Sequence, residues 1–167
     1  MPKQTAQRAA TEVLDSNWWE PGLPHDWQVP VDPFAIASKL GIDVYQADLQ
    51  PDVSGAIQRQ RTGRPVIYVS KHDAHVRQRF TCAHELGHYK QRIDTGDAEF
   101  EFVDFRGTLA TTGTHPDEIY ANQFAAELLM PRELVKSMRK QGVTGLAATF
   151  NVSTQAMGLR LRNLGLD

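Results

Sequence analysis

Apolar positions recur along this chain with two different periods, and the periods mark out its elements. Ala6, Ala9, Ala10, Val13 and Leu14 fall at i, i+3, i+4, i+7 and i+8, which is one face of an amphipathic helix. Trp18 to Pro24 is rich in helix breakers and reads as a loop, with the two tryptophans as packing anchors. Asp32-Pro33 has the form of an N-cap followed by a first-turn proline. Ile36, Ala37 and Leu40 then give the buried stripe of a second helix, which Gly41 ends. The period shortens to two at Ile42-Asp43-Val44-Tyr45, and Ser54–Ile57 and Pro65–Val69 look like two further strands. Gln60 to Arg64 is a turn-like basic tip between them. A helix from about Ala74 to Arg92, capped by Asp73, contains no proline. Residues 94–116 lose regular periodicity. There Asp97, Glu99, Glu101 and Asp104 alternate with Phe100, Phe102, Val103 and Phe105, as in an edge strand, a lid that receives substrate, or a solvated acidic face. A later helix spans Asp117 to Met130 and is ended by Pro131. This mixture of helices and a few short strands reads as α+β with a small antiparallel sheet.

Composition narrows the class. A chain of 167 residues is one domain with a real core and needs no disulfide staples. Eighteen basic against twenty acidic residues give a net charge of −2, so no bulk attraction to nucleic acid or membrane is expected. Cys82 is the one cysteine, which rules out an internal disulfide. No Lys/Arg-led apolar leader and no apolar run of about 20 residues is present. The expected location is the cytoplasm, by elimination.

The chemistry concentrates at His84-Glu85-Leu86-Gly87-His88, an HExxH sequence inside the predicted long helix. Residues four apart lie about 40° apart around a helix and one turn along it, so both imidazoles can reach one point. That pair suits zinc, and Glu85 is placed to hold a water and take its proton. The bland alternative is an ordinary helix with two surface histidines. Cys82 lies about 160° round the helix from His84 and reads as a buried small residue, neither ligand nor nucleophile.

A catalytic zinc site needs a third protein ligand. Asp94 stands where HExxHxxGxxD peptidases place theirs, but Gln91 occupies the glycine position of that turn. Glu118 and Glu127 on the later helix are roughly 180° apart, so only one can face the metal. Glu118 borders the stripe of Ala121, Phe124, Ala125, Leu128 and Leu129, whereas Glu127 sits across the axis from it. Glu118 is therefore preferred, with His115 in the preceding loop as a rival. Asn122, one turn on from Glu118, is placed either to orient a ligand or to fill a polar gap. Tyr89, Tyr120 and His115 are candidates for stabilising an oxyanion.

Two long motifs carry a resemblance. Arg79-Phe80-Thr81-Cys82-Ala83-His84-Glu85-Leu86-Gly87-His88-Tyr89 resembles the RFTxAHELGHY signature of the ImmA/IrrE metallopeptidase family. Residues 118–131 resemble its ExxANxFAAELLMP segment, and the similarity extends from about residue 30 to the C-terminus. Tyr68-Val69-Ser70 departs slightly, since the family often shows an Asn after that strand, and no metal position is affected. The resemblance implies a compact zincin, gluzincin-like core in which Glu118 is the third zinc ligand beside His84 and His88. It also implies a substrate: a helix-turn-helix repressor of the phage- or xenobiotic-response type, or an antitoxin. Its cleavage would derepress stress or mobile-element genes.

The core is expected to occupy residues 1–131 and a helix-turn-helix-like segment residues 132–167. That segment has a small residue at Ala147, a turn at Asn151 and an apolar anchor at Met157. Its six basic residues against Glu133 and Asp167 give a local charge of +4, so DNA binding is conceivable. The polar readers on its second helix are only Gln155, Arg160, Arg162 and Asn163, which favours a helical cap or a surface that holds a protein substrate. The expected function is a zinc-dependent endopeptidase with Glu85 as base. The alternatives are a non-proteolytic zinc-stabilised binding module and a DNA-binding regulator of the same repressor system.

Overall fold

The computed structural model describes residues 4–97, 99–105 and 115–166. Helix α1 (Ala6–Asn17) is opened by the Thr5 hydroxyl, which accepts from the Arg8 N–H. Its buried residues are the five that the periodicity selected, and three are alanines. Their small side chains let α1 lie close along a later helix, α4 (Pro116–Leu129). Helix α2 (Pro33–Lys39) begins as expected, with the Asp32 carboxylate accepting from Phe34 N–H at 2.9 Å. Ile36 and Ala37 are buried, and Leu40 is half-buried at the helix end.

Four strands follow: β1 (Asp43–Ala47), β2 (Val53–Arg59), β3 (Val66–Ser70) and β4 (Phe100–Phe105). They form one sheet in the order β1-β3-β2-β4. The expected antiparallel pairing holds for β2 with β3 and for β2 with β4. It fails for β1, which runs parallel to β3. The apolar Val66-Ile67-Tyr68-Val69 run suits an interior strand, whereas Asp43 and Gln46 of β1 suit an edge. So β3 inserts between β1 and β2, which are neighbours only in sequence. Among the described residues the alternating acidic and aromatic stretch is an edge strand over Phe100–Phe105, with Glu99 and Glu101 exposed. The rest of that stretch, residues 106–114, lies outside the described residues.

One registered row, Val44, Ile67, Ile57 and Phe102, turns inward. Ile57 and Ile67 are wholly buried under α3 (His75–Thr95), the 21-residue helix that carries HExxH. The cap position of α3 is Ala74 rather than Asp73, with no side-chain cap hydrogen bond. The Asp73 N–H closes a turn onto Ser70 O. The helix then runs past the expected Arg92 to Thr95 and ends at Gly96.

Helix α4 crosses α3 and is followed by α5 (Arg132–Ser137), a short 3-10 turn, α6 (Gly142–Phe150) and α7 (Thr154–Leu164). The turn between α6 and α7 is at Asn151, which adopts a left-handed conformation, and Met157 is fully buried as an anchor. Two buried arginines tie these helices to the rest. Arg79 of α3 donates to Val31 O at 2.7 Å and to Asn151 O at 3.0 Å. Arg160 of α7 donates to Met130 O at 3.0 Å and forms an ion pair with Glu127 of α4. Glu127 was expected across the axis from the buried stripe. It is buried all the same, because Arg160 of α7 and the Arg132 N–H at the start of α5 close on its carboxylate.

Candidate metal centre

His84 and His88 project from one side of α3 and are completely buried. Their Nε2 atoms are 3.1 Å apart. Glu118, in the first turn of α4, brings one carboxylate oxygen to 3.3 Å from His84 Nε2 and the other to 3.2 Å from His88 Nε2. Among the described residues these three form the group of His, Cys, Asp or Glu able to converge on one ion. A tetrahedral ion with ligands at about 2.0–2.1 Å has ligand–ligand edges of roughly 3.3 Å. The Nε2–Nε2 separation, and the distance from each nitrogen to its nearer Glu118 oxygen, are close to such an edge. Two imidazole nitrogens and a carboxylate oxygen are also the donor set of catalytic zinc sites, which keep a corner for water or substrate.

Both imidazoles are braced from behind. Asn122 Oδ1 stands 3.0 Å from His84 Nδ1, and an amide oxygen can only accept. The proton therefore sits on Nδ1, and Nε2 turns its lone pair toward Glu118 and His88. Asn122 thus orients the first histidine rather than Glu118, its helical neighbour. His88 is held differently: its ring stacks on Phe102 of β4, with centroids 4.3 Å apart and planes 6° apart.

The close approach of two glycines makes this assembly possible. A Cβ at Gly87 would lie 2.9 Å from Ala121 Cα and 3.2 Å from Ala121 O. Because Gly87 lacks that atom, α4 crosses α3 in near backbone contact, and Glu118, one turn before Ala121, reaches the histidines. A Cβ at Gly55 on β2 would overlap Thr81 Cγ2 and stand 3.1 Å from Glu85 Oε1. The wholly buried Glu85 carboxylate is therefore seated between α3 and the β2 backbone. Gly87→Ala should destabilise the fold by about 1–3 kcal/mol, since overpacking a backbone contact outweighs the gain in helix propensity. Zinc affinity should fall with it. Thermal unfolding and a chelator-competition titration would check both; an unchanged affinity would mean that this crossing does not place Glu118.

The rival residues lie elsewhere. Because α3 continues unbroken through Gln91, Asp94 lies on its surface, paired with Lys90 Nζ at 2.9 Å. His115 is exposed just before α4, 3.9 Å from Asp117. Tyr120 is half-buried, and its hydroxyl is pushed up to about 12 by burial, with the Asp94 and Glu12 carboxylates adding to the effect. The Tyr89 ring is tilted against Phe100 at 6.4 Å. His115 does not join the ligand group. Cys82 is buried as expected, and burial first, then the nearby Glu85 and Asp32 carboxylates, push its thiol far above the ordinary range, so it stays protonated.

A family model described as the IrrE N-terminal-like domain, Peptidase_M78, matches residues 37–162. The chain belongs to this family. Membership in the M78 peptidases supports a zinc metallopeptidase-like function and agrees with the resemblance read from the two motifs. No curated protein matches the chain. The M78 match spans α3, α4 and the Arg160 contact of α7. Helix α1 lies ahead of it, yet packs on α4. Reading the sequence missed Gly55, Gly87 and Phe102. Gly87 had a signal, a glycine in the middle of a long helix; Gly55 and Phe102 depend on which face of the sheet meets α3.

Proposed function

We propose that this chain is a zinc-dependent endopeptidase in which His84, His88 and Glu118 hold the ion and Glu85 is the general base. The observation that carries the reading is the convergence of His84, His88 and Glu118 on two crossing helices, with the two Nε2 atoms 3.1 Å apart and a Glu118 oxygen 3.2–3.3 Å from each. Bound zinc supplies Lewis acidity at the peptide carbonyl and lowers the pKa of water to about 7. Glu85 takes a proton from the attacking water as its oxygen bonds to the carbonyl carbon. It then delivers that proton to the amide nitrogen as the C–N bond breaks. Asn122 and Phe102 keep the two imidazoles in place through this cycle.

Among the described residues β4 is an edge strand, and its Phe102 ring lies on His88. An extended peptide that adds to this edge would run beside the site, with its backbone held by strand hydrogen bonds. The substrate we propose, on the family resemblance, is a helix-turn-helix repressor or antitoxin. DNA binding is not favoured, because Arg160 is buried against Glu127 and is lost as a reader.

The test is co-expression with the helix-turn-helix repressor encoded nearest the gene, reading repressor length by mass spectrometry and zinc content of the purified chain. One zinc per chain and a discrete cut abolished by a chelator are expected. A zinc-loaded chain that co-purifies with intact repressor would replace the peptidase with a binding module.

A further inference from the structure

Arg92 lies one turn beyond His88 on α3, and three elements meet at its guanidinium. Nη2 donates to Asp117 Oδ2 at 2.9 Å, in the first turn of α4 and immediately before Glu118. Nη1 donates to Asp97 Oδ2 at 3.3 Å, just past the end of α3. Its Cζ stands 4.8 Å from the centroid of Phe102, the same ring that stacks on His88. One side chain thus touches the neighbour of one candidate ligand and the brace of another.

We propose that Arg92 is a positioning residue of the metal centre, which fixes Glu118 through Asp117 and the plane of His88 through Phe102. The inference rests on the metal reading above. Its physical basis is where Glu118 sits. The first turn of a helix has no intrahelical partner for its N–H groups and is the part that frays most easily. A ligand placed there needs an anchor outside its own helix, and the Arg92–Asp117 pair is one. Arg92 also presents a planar fork. It reaches two carboxylates while standing over a ring, which the single ammonium of lysine cannot reproduce. The guanidinium is partly covered, at 30% side-chain exposure, so the pair is less screened than an open surface bridge.

The experiment is a zinc titration of the full chain against a chromophoric chelator for the native protein, Arg92→Lys, Asp117→Asn and the double variant, with apo-protein thermal unfolding alongside. Partners that orient metal ligands typically contribute 10–100-fold in affinity, so each single variant should bind zinc about 10–100-fold more weakly. The double variant should be no weaker than the worse single, because both remove one connection. Phe102→Leu, which keeps the bulk and removes the stack, should also weaken binding. Native-like zinc affinity in Arg92→Lys overturns the proposal, even if its apo-protein unfolds earlier, because the role would then be structural only. Fully additive losses in the double variant also overturn it. A native chain that binds no zinc would instead bring down the metal reading, and this inference with it.

Discussion

Glu85→Gln should retain zinc and lose peptide cleavage by about 10²–10⁴-fold in kcat, the range that general-base catalysis contributes. Glutamine has the shape of glutamate, so the fit of residue 85 against Gly55 is kept. Glu85 stands outside the ligand group of His84, His88 and Glu118, so metal content should not change. The carboxamide cannot accept the water proton at neutral pH, and its loss falls on the transition state alone. Zinc content, chelator competition and repressor fragments by mass spectrometry check the three parts separately. Normal cutting would remove Glu85 from its role. Loss of zinc together with activity would make Glu85 part of the metal site rather than its base.

Arg160→Met should destabilise the chain by about 3–5 kcal/mol, because it strands a buried carboxylate. Glu127 is only 8% exposed, and its two oxygens are used by Arg160 and by the Arg132 N–H at 3.0 Å. Removing the guanidinium leaves one oxygen without its counter-charge under α7, and Met130 O loses its donor as well. A Tm lower by roughly 10 °C is expected for a chain of this size. Glu127→Gln in the Arg160→Met background should recover part of the loss, since a neutral amide costs less to bury than a charge. Calorimetry of the three variants decides it. A stable Arg160→Met chain would show that α7 is held by its apolar contacts alone. If that stable chain also lost a salt-dependent DNA shift present in the native protein, Arg160 would return as a DNA reader.

Much of the candidate metal centre was legible because HExxH is a local device. The helical period brings His84 and His88 to one side without help from any other element. Glu118 was reachable by one further step, since a helical wheel separates it from Glu127 by half a turn of azimuth. The wheel placed Glu118 correctly at the border of the stripe, but it treated the opposite side of α4 as uncovered. There the reading of Glu127 failed: a wheel knows one helix, and this carboxylate is covered by Arg160 of α7 and the Arg132 N–H, which lie outside it. Asn122 shows the same limit. Its position in sequence points to Glu118, and only the crossing of α4 over α3 brings its amide to His84.

What the sequence by itself determined is what short-range physics controls. The α1 stripe, the Asp32 cap with Pro33, the Asn151 turn and the pairing of His84 with His88 each involve residues no more than a few positions apart, or one repeating period. The tertiary structure alone decided the parallel docking of β1 on β3, the placing of Ala74 rather than Asp73 at the α3 cap, the burial of Glu127 and the meeting of Arg92, Asp117 and Phe102. It also decided the backbone contacts at Gly55 and Gly87, where a missing Cβ matters only once a second surface is pressed against it. Those features belong to pairs of surfaces, and the free energy that selects them comes from apolar area buried and polar groups satisfied across elements distant in sequence.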